Sequence, residues 1–239
     1  MLTKQEIQHN LDIVNKQIAD ACLRSGRSRD DVELIAVSKM NPAEAVIMAS
    51  ECGQLIFGEN KVQELCGKQP EVAEATGKEI EWHLIGHLQT NKVKDVVGKV
   101  RLIHSVDSVH LAEAIDKESA KKAVISDILL EVNIAGEESK YGLKPDEVLA
   151  AVTEIAKLKN VRIKGLMTVA PISDNPVSNR IYFKNLKNLS VDIGSKNIDN
   201  ISMDVLSMGM TQDFETAIEE GATYVRVGTG IFGARDYSK

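Results

Sequence analysis

The chain has 239 residues, 43% hydrophobic and 27% charged, with a formal net charge of −6 at pH 7. That is ample apolar material for a sizeable core, and the charges are spread as on an ordinary soluble protein. An acidic balance without a basic stripe excludes nucleic acid as the main partner, so any anion must be held locally, by backbone groups.

The first element is a helix. Thr3 and Glu6 stand three apart as a capping box. Ile7, Leu11, Val14, Ile18 and Cys22 then recur on one face, and Gly26 sits where such a helix stops. Short apolar runs follow: Leu34 to Val37, Gln54 to Phe57, Trp82 to Ile85, Leu102 to Val106, Ile128 to Val132, Ile163 to Met167, Ser202 to Leu206, and Tyr224 to Val227. Each is rich in Val, Ile and Leu and suits a strand buried on both faces of a parallel sheet.

Helix signals separate the runs. Asn41 is placed to cap a helix with Pro42 in its first position and Glu44 three residues after the cap. Thr90 or Asn91 would cap a helix through Val97, and Ser108 one through Lys121. Lys144-Pro145-Asp146 opens a helix reaching Lys157, with a basic last turn that suits the dipole. Pro176 to Leu189 carries Ile181, Tyr182, Leu186 and Leu189 at helical spacing, and Thr211 leads into a helix ending at Gly221.

Eight strands alternating with helices fit either a closed barrel or an open doubly wound sheet. The count of eight and a length near the roughly 250 residues of such barrels favour closure. So does the missing G-x-G-x-x-G fingerprint after the first strand. The expectation is a single (β/α)8 TIM-type barrel with an extra N-terminal helix, one domain over residues 1–239. No stretch approaches the ~20 apolar residues of a membrane span, and no apolar leader follows Met1, so a cytoplasmic protein is expected. Cys22, Cys52 and Cys66 lack metal or disulfide spacing and read as small core thiols.

In such barrels chemistry sits where strands end. Side chains alternate along a strand, so Ile35, Val37 and Lys39 share a face. If the first two fill the interior, Lys39 points into the mouth. A lysine nucleophile must be neutral, which needs a pKa about 3 units below its usual value near 10.4, or roughly 4 kcal/mol of environment. An apolar lip with a cationic neighbour can supply that. The seventh run continues as Ser207-Met208-Gly209-Met210-Thr211, and the eighth contains Arg226 and continues as Gly228-Thr229-Gly230, where a short helix could begin. Two such turns side by side suit a phosphate.

Other candidates carry less. Asn60 could donate to a ring oxygen or cap a helix. His83 reads as a hydrogen-bonded core histidine, and His87, His104 and His110 share no metal-ligand spacing, so no metal is expected. Met167 ends the sixth run and should pack against whatever fills the mouth.

Together these segments resemble the family of pyridoxal phosphate homeostasis proteins, the YggS-like or proline-synthetase co-transcribed group. The likeness runs through Val37-Ser38-Lys39, Phe57-Gly58-Glu59-Asn60-Lys61-Val62-Gln63-Glu64 and Trp82 to Lys92. It continues through Leu206 to Asp213 and Val225 to Gly233. Lys61 stands where tyrosine is common and Thr211 where serine is usual. The resemblance implies a barrel like the cofactor domain of alanine racemase, with pyridoxal 5′-phosphate (PLP) as a Schiff base on Lys39. It implies phosphate contacts from Ser207, Gly209, Gly228 and Thr229, and Arg226 near the pyridine nitrogen. The expected cofactor-binding set is Lys39, Asn60, Met167, Ser207, Met208, Gly209, Arg226, Gly228 and Thr229. A guanidinium only donates hydrogen bonds, so the ring nitrogen would stay unprotonated and be a weak electron sink.

Two functions compete: a PLP carrier in intracellular cofactor homeostasis without robust catalysis, and a racemase-like enzyme. Related barrel enzymes add a β-rich domain that closes the site. Here about a dozen residues follow the eighth run, too few for one, and Tyr141, in a loop that could reach the mouth, has no evident base. The carrier is favoured, as a monomer, with PLP and apo PLP-dependent enzymes as partners. A class I aldolase or phosphosugar isomerase built on Lys39 also fits the phosphate turns.

Overall fold

In the computed structural model, which describes residues 2–233, eight strands form a closed barrel in sequence order. They are β1 (Glu33–Val37), β2 (Ile56–Glu59), β3 (Glu81–Leu84), β4 (Leu102–Val106), β5 (Ser126–Glu131), β6 (Val161–Met167), β7 (Ile201–Met210) and β8 (Tyr224–Val227). All neighbours are parallel, and β1 closes on β8 with Ile35 opposite Arg226 and Ala36 opposite Val227. The expected TIM-type barrel is therefore the fold.

The helices are α1 (Lys4–Arg24), α2 (Ala43–Glu51), α3 (Val62–Thr76), α4 (Val93–Val96), α5 (Val109–Lys122), α6 (Val148–Ile155), α7 (Arg180–Gly194), α8 (Phe214–Glu219) and α9 (Thr229–Phe232). The capping box of α1 is formed: Thr3 N donates to Glu6 Oε2 at 2.8 Å and Glu6 N to Thr3 Oγ1 at 3.3 Å. Its buried stripe, Ile7 to Cys22, packs on α8, α9 and α2, and Asn10 Nδ2 donates to the Ile231 carbonyl at 2.9 Å. The extra helix thus covers the seam where the barrel closes.

Several boundaries differ from the sequence reading. Pro42, not Asn41, is the N-cap of α2, and Asn41 turns back so that Nδ2 donates to the Lys39 carbonyl at 3.3 Å. α3 lacked a clear entry signal and contains Pro70. α6 is confined to Val148–Ile155, well inside the expected span. α7 buries Phe183, Leu186, Ser190 and Ile193, while Ile181 is exposed. Burying Phe183 and Leu186 stabilises the fold by about 2–3 kcal/mol each.

Alternation divides the strand residues. Leu34, Ala36, Leu206 and Met208 belong to the large core under the helices. Leu102, Leu129 and Met167 form a separate interior cluster with Val205 and Tyr224.

Candidate functional site

Lys39 lies just beyond β1, half-buried. A Cβ added at Gly58 would lie 2.8 Å from Ile35 Cγ2 and 3.0 Å from Ile85 Cδ1. Ile35 therefore packs across the barrel wall with the neighbouring strands' inward side chains, and Lys39 follows β1 by two residues, at the end of the barrel where strands finish.

A buried polar cluster surrounds the backbone on either side of Lys39. Ser38 Oγ donates to Glu59 Oε1 at 2.7 Å. Lys68, from α3, donates to the Ser38 carbonyl at 2.8 Å and to Glu59 Oε1 at 2.6 Å. Glu64 Oε2 accepts from Met40 N at 2.7 Å. Burial pushes the Glu59 carboxyl above its usual range despite Lys68 and Ser38. Glu59, Glu64 and Lys68 were not singled out in the sequence. A glutamate at a strand end, or a glutamate or lysine on an amphipathic helix, carries no mark that distinguishes it from a solvated one.

The turn after β8 lies against this lysine segment. A Cβ added at Gly228 would sit 3.3 Å from the Val37 carbonyl oxygen and 3.4 Å from Val37 Cβ. Gly228 N donates to Thr211 Oγ1 at 3.3 Å, which brings the two turns together. Thr229 is exposed. It opens α9, whose first amides have no intrahelical acceptor. Thr211, read in the sequence as a helix start and for its motif position, supplies the hydroxyl that meets Gly228.

Ser207 does not occupy that place. β7 runs four residues past the expected end at Leu206, so Ser207 lies inside the barrel rather than beyond it. Its hydroxyl accepts from Arg226 Nη1 and lies 2.9 Å from His104 Nδ1. Met208 points to the opposite face, into the core beneath the helices. Gly209 has φ +91° and its close approach is to α8, since an added Cβ would lie 2.6 Å from Ala217 Cβ. Met167 is buried in the interior layer with Leu102 and Leu129. Ser207 and Met208 thus form part of the wall through their side chains and Gly209 through its close backbone approach to α8, while Thr211, Gly228 and Thr229 line the turns.

Arg226 is buried one level below this rim, opposite Ile35. Nη2 donates to the Thr168 carbonyl at 2.7 Å. Its bonds to Ser207 and Thr168 use two of the guanidinium's five N–H donors. Burial lowers its pKa to about 10, with Glu131 and Asp213 opposing. It is still charged near neutrality. Behind it, His104 meets His83, and His83 Nε2 lies 2.8 Å from Glu81 Oε1. Both imidazoles are buried and contact the Tyr224 ring. His83 is the hydrogen-bonded core histidine the sequence suggested.

The far rim carries acids. His87 Nδ1 lies 3.3 Å from Asp107 Oδ2, and the His87 ring stacks on Tyr141 at 3.9 Å. Tyr141 therefore does have an imidazole partner, contrary to expectation. Burial, then Asp107, raises the Glu131 carboxyl to about 7. Asn60 Oδ1 is buried without a hydrogen-bond partner among the described residues. It is an unused acceptor at the end of β2.

The segment that carries Lys39, a paired turn with hydroxyl and amide donors, and a buried guanidinium thus lie at one end of the barrel. The set fits a flat aromatic aldehyde with an anionic tail. The orphaned Asn60 oxygen would be satisfied by a hydroxyl on such a ring.

Residues 3–236 match the family described as alanine racemase, N-terminal domain. The pyridoxal phosphate homeostasis protein of Aquifex aeolicus (strain VF5) is 43% identical over 227 residues, 95% of this chain and 97% of that protein. The structure of PipY from Synechococcus elongatus PCC7942 with PLP bound superposes with a TM-score of 0.80 at 34% identity, covering 92% of this chain and 100% of that one. Alanine racemase of Clostridium difficile 630 shares the fold, with a TM-score of 0.72 at 14% identity over 98% of this chain and 58% of that one.

Proposed function

The chain belongs to the family of pyridoxal phosphate homeostasis proteins, and on that premise we propose that it binds PLP as a Schiff base on Lys39 and stores and delivers it. One observation carries the reading: the Gly228 turn rests on Val37, two residues before Lys39. An anion on that turn and an aldehyde at Lys39 can therefore belong to one small molecule.

In this reading Thr211, Gly228 and Thr229 hold the phosphate, Arg226 faces the pyridine nitrogen and Asn60 a ring oxygen. When bound, the cofactor supplies an aldehyde that condenses reversibly with amines. The residues assigned to the phosphate are neutral hydroxyl and amide donors, a hold compatible with release. Arg226, a donor only, keeps a proton off the ring nitrogen and so dampens carbanion chemistry. The family likeness to PipY with PLP bound and the names of the relatives support cofactor handling over turnover.

A visible absorption band after addition of PLP, absent in Lys39→Ala, is the expected result. No band in the wild-type chain overturns the proposal, and a Lys39-dependent adduct with phosphosugars instead would favour an aldolase.

One feature favours weak racemase-like activity as a second reading: the Tyr141–His87–Asp107 cluster on the far rim. Solvent deuterium entering Cα of L-alanine, and lost in Tyr141→Phe, would support it. No exchange leaves the carrier alone.

A further inference from the structure

The segment that carries Lys39 leaves β1 through an unusual backbone. Met40 has φ +63°, the left-handed region that L residues with a side chain rarely adopt, and it is 62% exposed. No packing of its side chain explains the conformation.

Hydrogen bonds do. The Met40 amide donates to Glu64 Oε2 at 2.7 Å. On the other side of Lys39, the Ser38 carbonyl accepts from Lys68 Nζ at 2.8 Å. Lys68 also bonds Glu59 Oε1 and lies 3.5 Å from Glu64 Oε2. Glu64 and Lys68 are one turn apart on α3, so a single helix face grips the chain before and after Lys39. Glu59 ties the same lysine to Ser38 Oγ. Asn41 Nδ2 caps the Lys39 carbonyl.

We propose that Glu64 and Lys68 are positioning residues for Lys39: α3 clamps the Ser38–Met40 turn in its strained form and thereby aims the amine into the mouth. This rests on the PLP reading above. Asn41 N also donates to the Ser38 carbonyl at 3.0 Å, closing the turn, and Glu64 adds the bond on Met40 itself. Losing that acceptor leaves the left-handed form less well held, and relaxation there swings the preceding residue. Glycine adopts positive φ without steric cost, so it separates the two causes.

The experiment follows PLP attachment to cofactor-free protein by stopped-flow absorbance across pH, with thermal unfolding of each variant as the check on folding. Attachment to Glu64→Ala should be about tenfold slower than to wild type, the scale set by one left-handed residue. Glu64→Gln, whose amide oxygen still accepts from Met40, should stay within about twofold on the same scale. Glu64→Ala/Met40→Gly should recover to within about threefold. Recovery by a glycine that restores no contact is something a general stability defect would not produce. Undiminished attachment in Glu64→Ala, or a double variant as slow as the single one, overturns the clamp while leaving PLP binding intact. A wild-type chain that attaches no PLP overturns the functional reading itself.

Discussion

His104 Nε2 lies 2.7 Å from His83 Nδ1, inside the barrel and away from solvent. The groups at either end fix which ring donates. Arg226 can only donate, so Ser207 Oγ accepts from it. The Ser207 proton then goes to His104 Nδ1, which leaves His104 Nε2–H to donate to His83 Nδ1. His83 Nε2–H donates to Glu81, whose carboxylate is favoured first by this bond. One direction of donation therefore runs from the cation in the mouth to the acid at the start of β3. Burial, then His83 and Arg226, holds His104 well below the usual imidazole pKa. Nitrogen-15 NMR at pH 5.5 should show a neutral His104 with its proton on Nε2. An imidazolium signal for His104 contradicts the assignment.

Lys68 lies in a nearly closed pocket against a fully buried Glu59. Removing one partner of a buried pair strands the other, at a cost of about 3–5 kcal/mol. Lys68→Met should lower unfolding free energy in urea by that amount, and Lys68→Met/Glu59→Gln should regain most of it. Equal losses in both variants would mean that the pair's charge is not what matters.

Glu131 gives a pH signature. Its carboxyl titrates near 7 in the folded chain, against 4.5 ordinarily. Between those values the folded chain holds a proton that the unfolded chain has released. Its contribution to stability is therefore complete below about pH 4.5 and is lost as pH rises through about 7. Glu131→Gln imitates the protonated form. The variant should exceed wild type by about 2–3 kcal/mol at pH 8.5 and match it near pH 4.5. A difference that does not change with pH would place the cause elsewhere.

Arg226 is buried with a pKa near 10, so about one molecule in a thousand is uncharged at pH 7. Bound PLP should keep its ring nitrogen unprotonated at that pH, and Arg226→Glu should protonate it. Nitrogen-15-labelled PLP reads the change directly. Unchanged ring protonation removes Arg226 from that position.

The barrel was legible because each strand is a short aliphatic run. Alternation put Lys39 on the face of Ile35 and Val37, while Arg226 was marked only by the family resemblance, and the structure shows it buried opposite Ile35. Ser207 was misplaced for a related reason. Gly209 and Met210 look like a turn, yet they extend β7, and a strand end misjudged by four residues moves a side chain from the rim to the interior. Thr211 had only a hydroxyl to recommend it until Gly228 N was found beside it. Lys68 and Glu64 were beyond sequence reasoning, because the backbone groups they bind, on Ser38 and Met40, lie 30 and 24 positions away across a strand–helix crossover. Local periodicity reports which face is buried. It does not report which carbonyl a buried amine meets.

The attachment point is the most direct test of the whole account. The protein is loaded with PLP, reduced with borohydride, digested, and the modified peptide is fragmented by mass spectrometry. The account predicts the pyridoxyl group on Lys39, with Arg226 and the Gly228 turn protected from proteolysis in the loaded form. A label on any other lysine, with Lys39 unmodified, contradicts it.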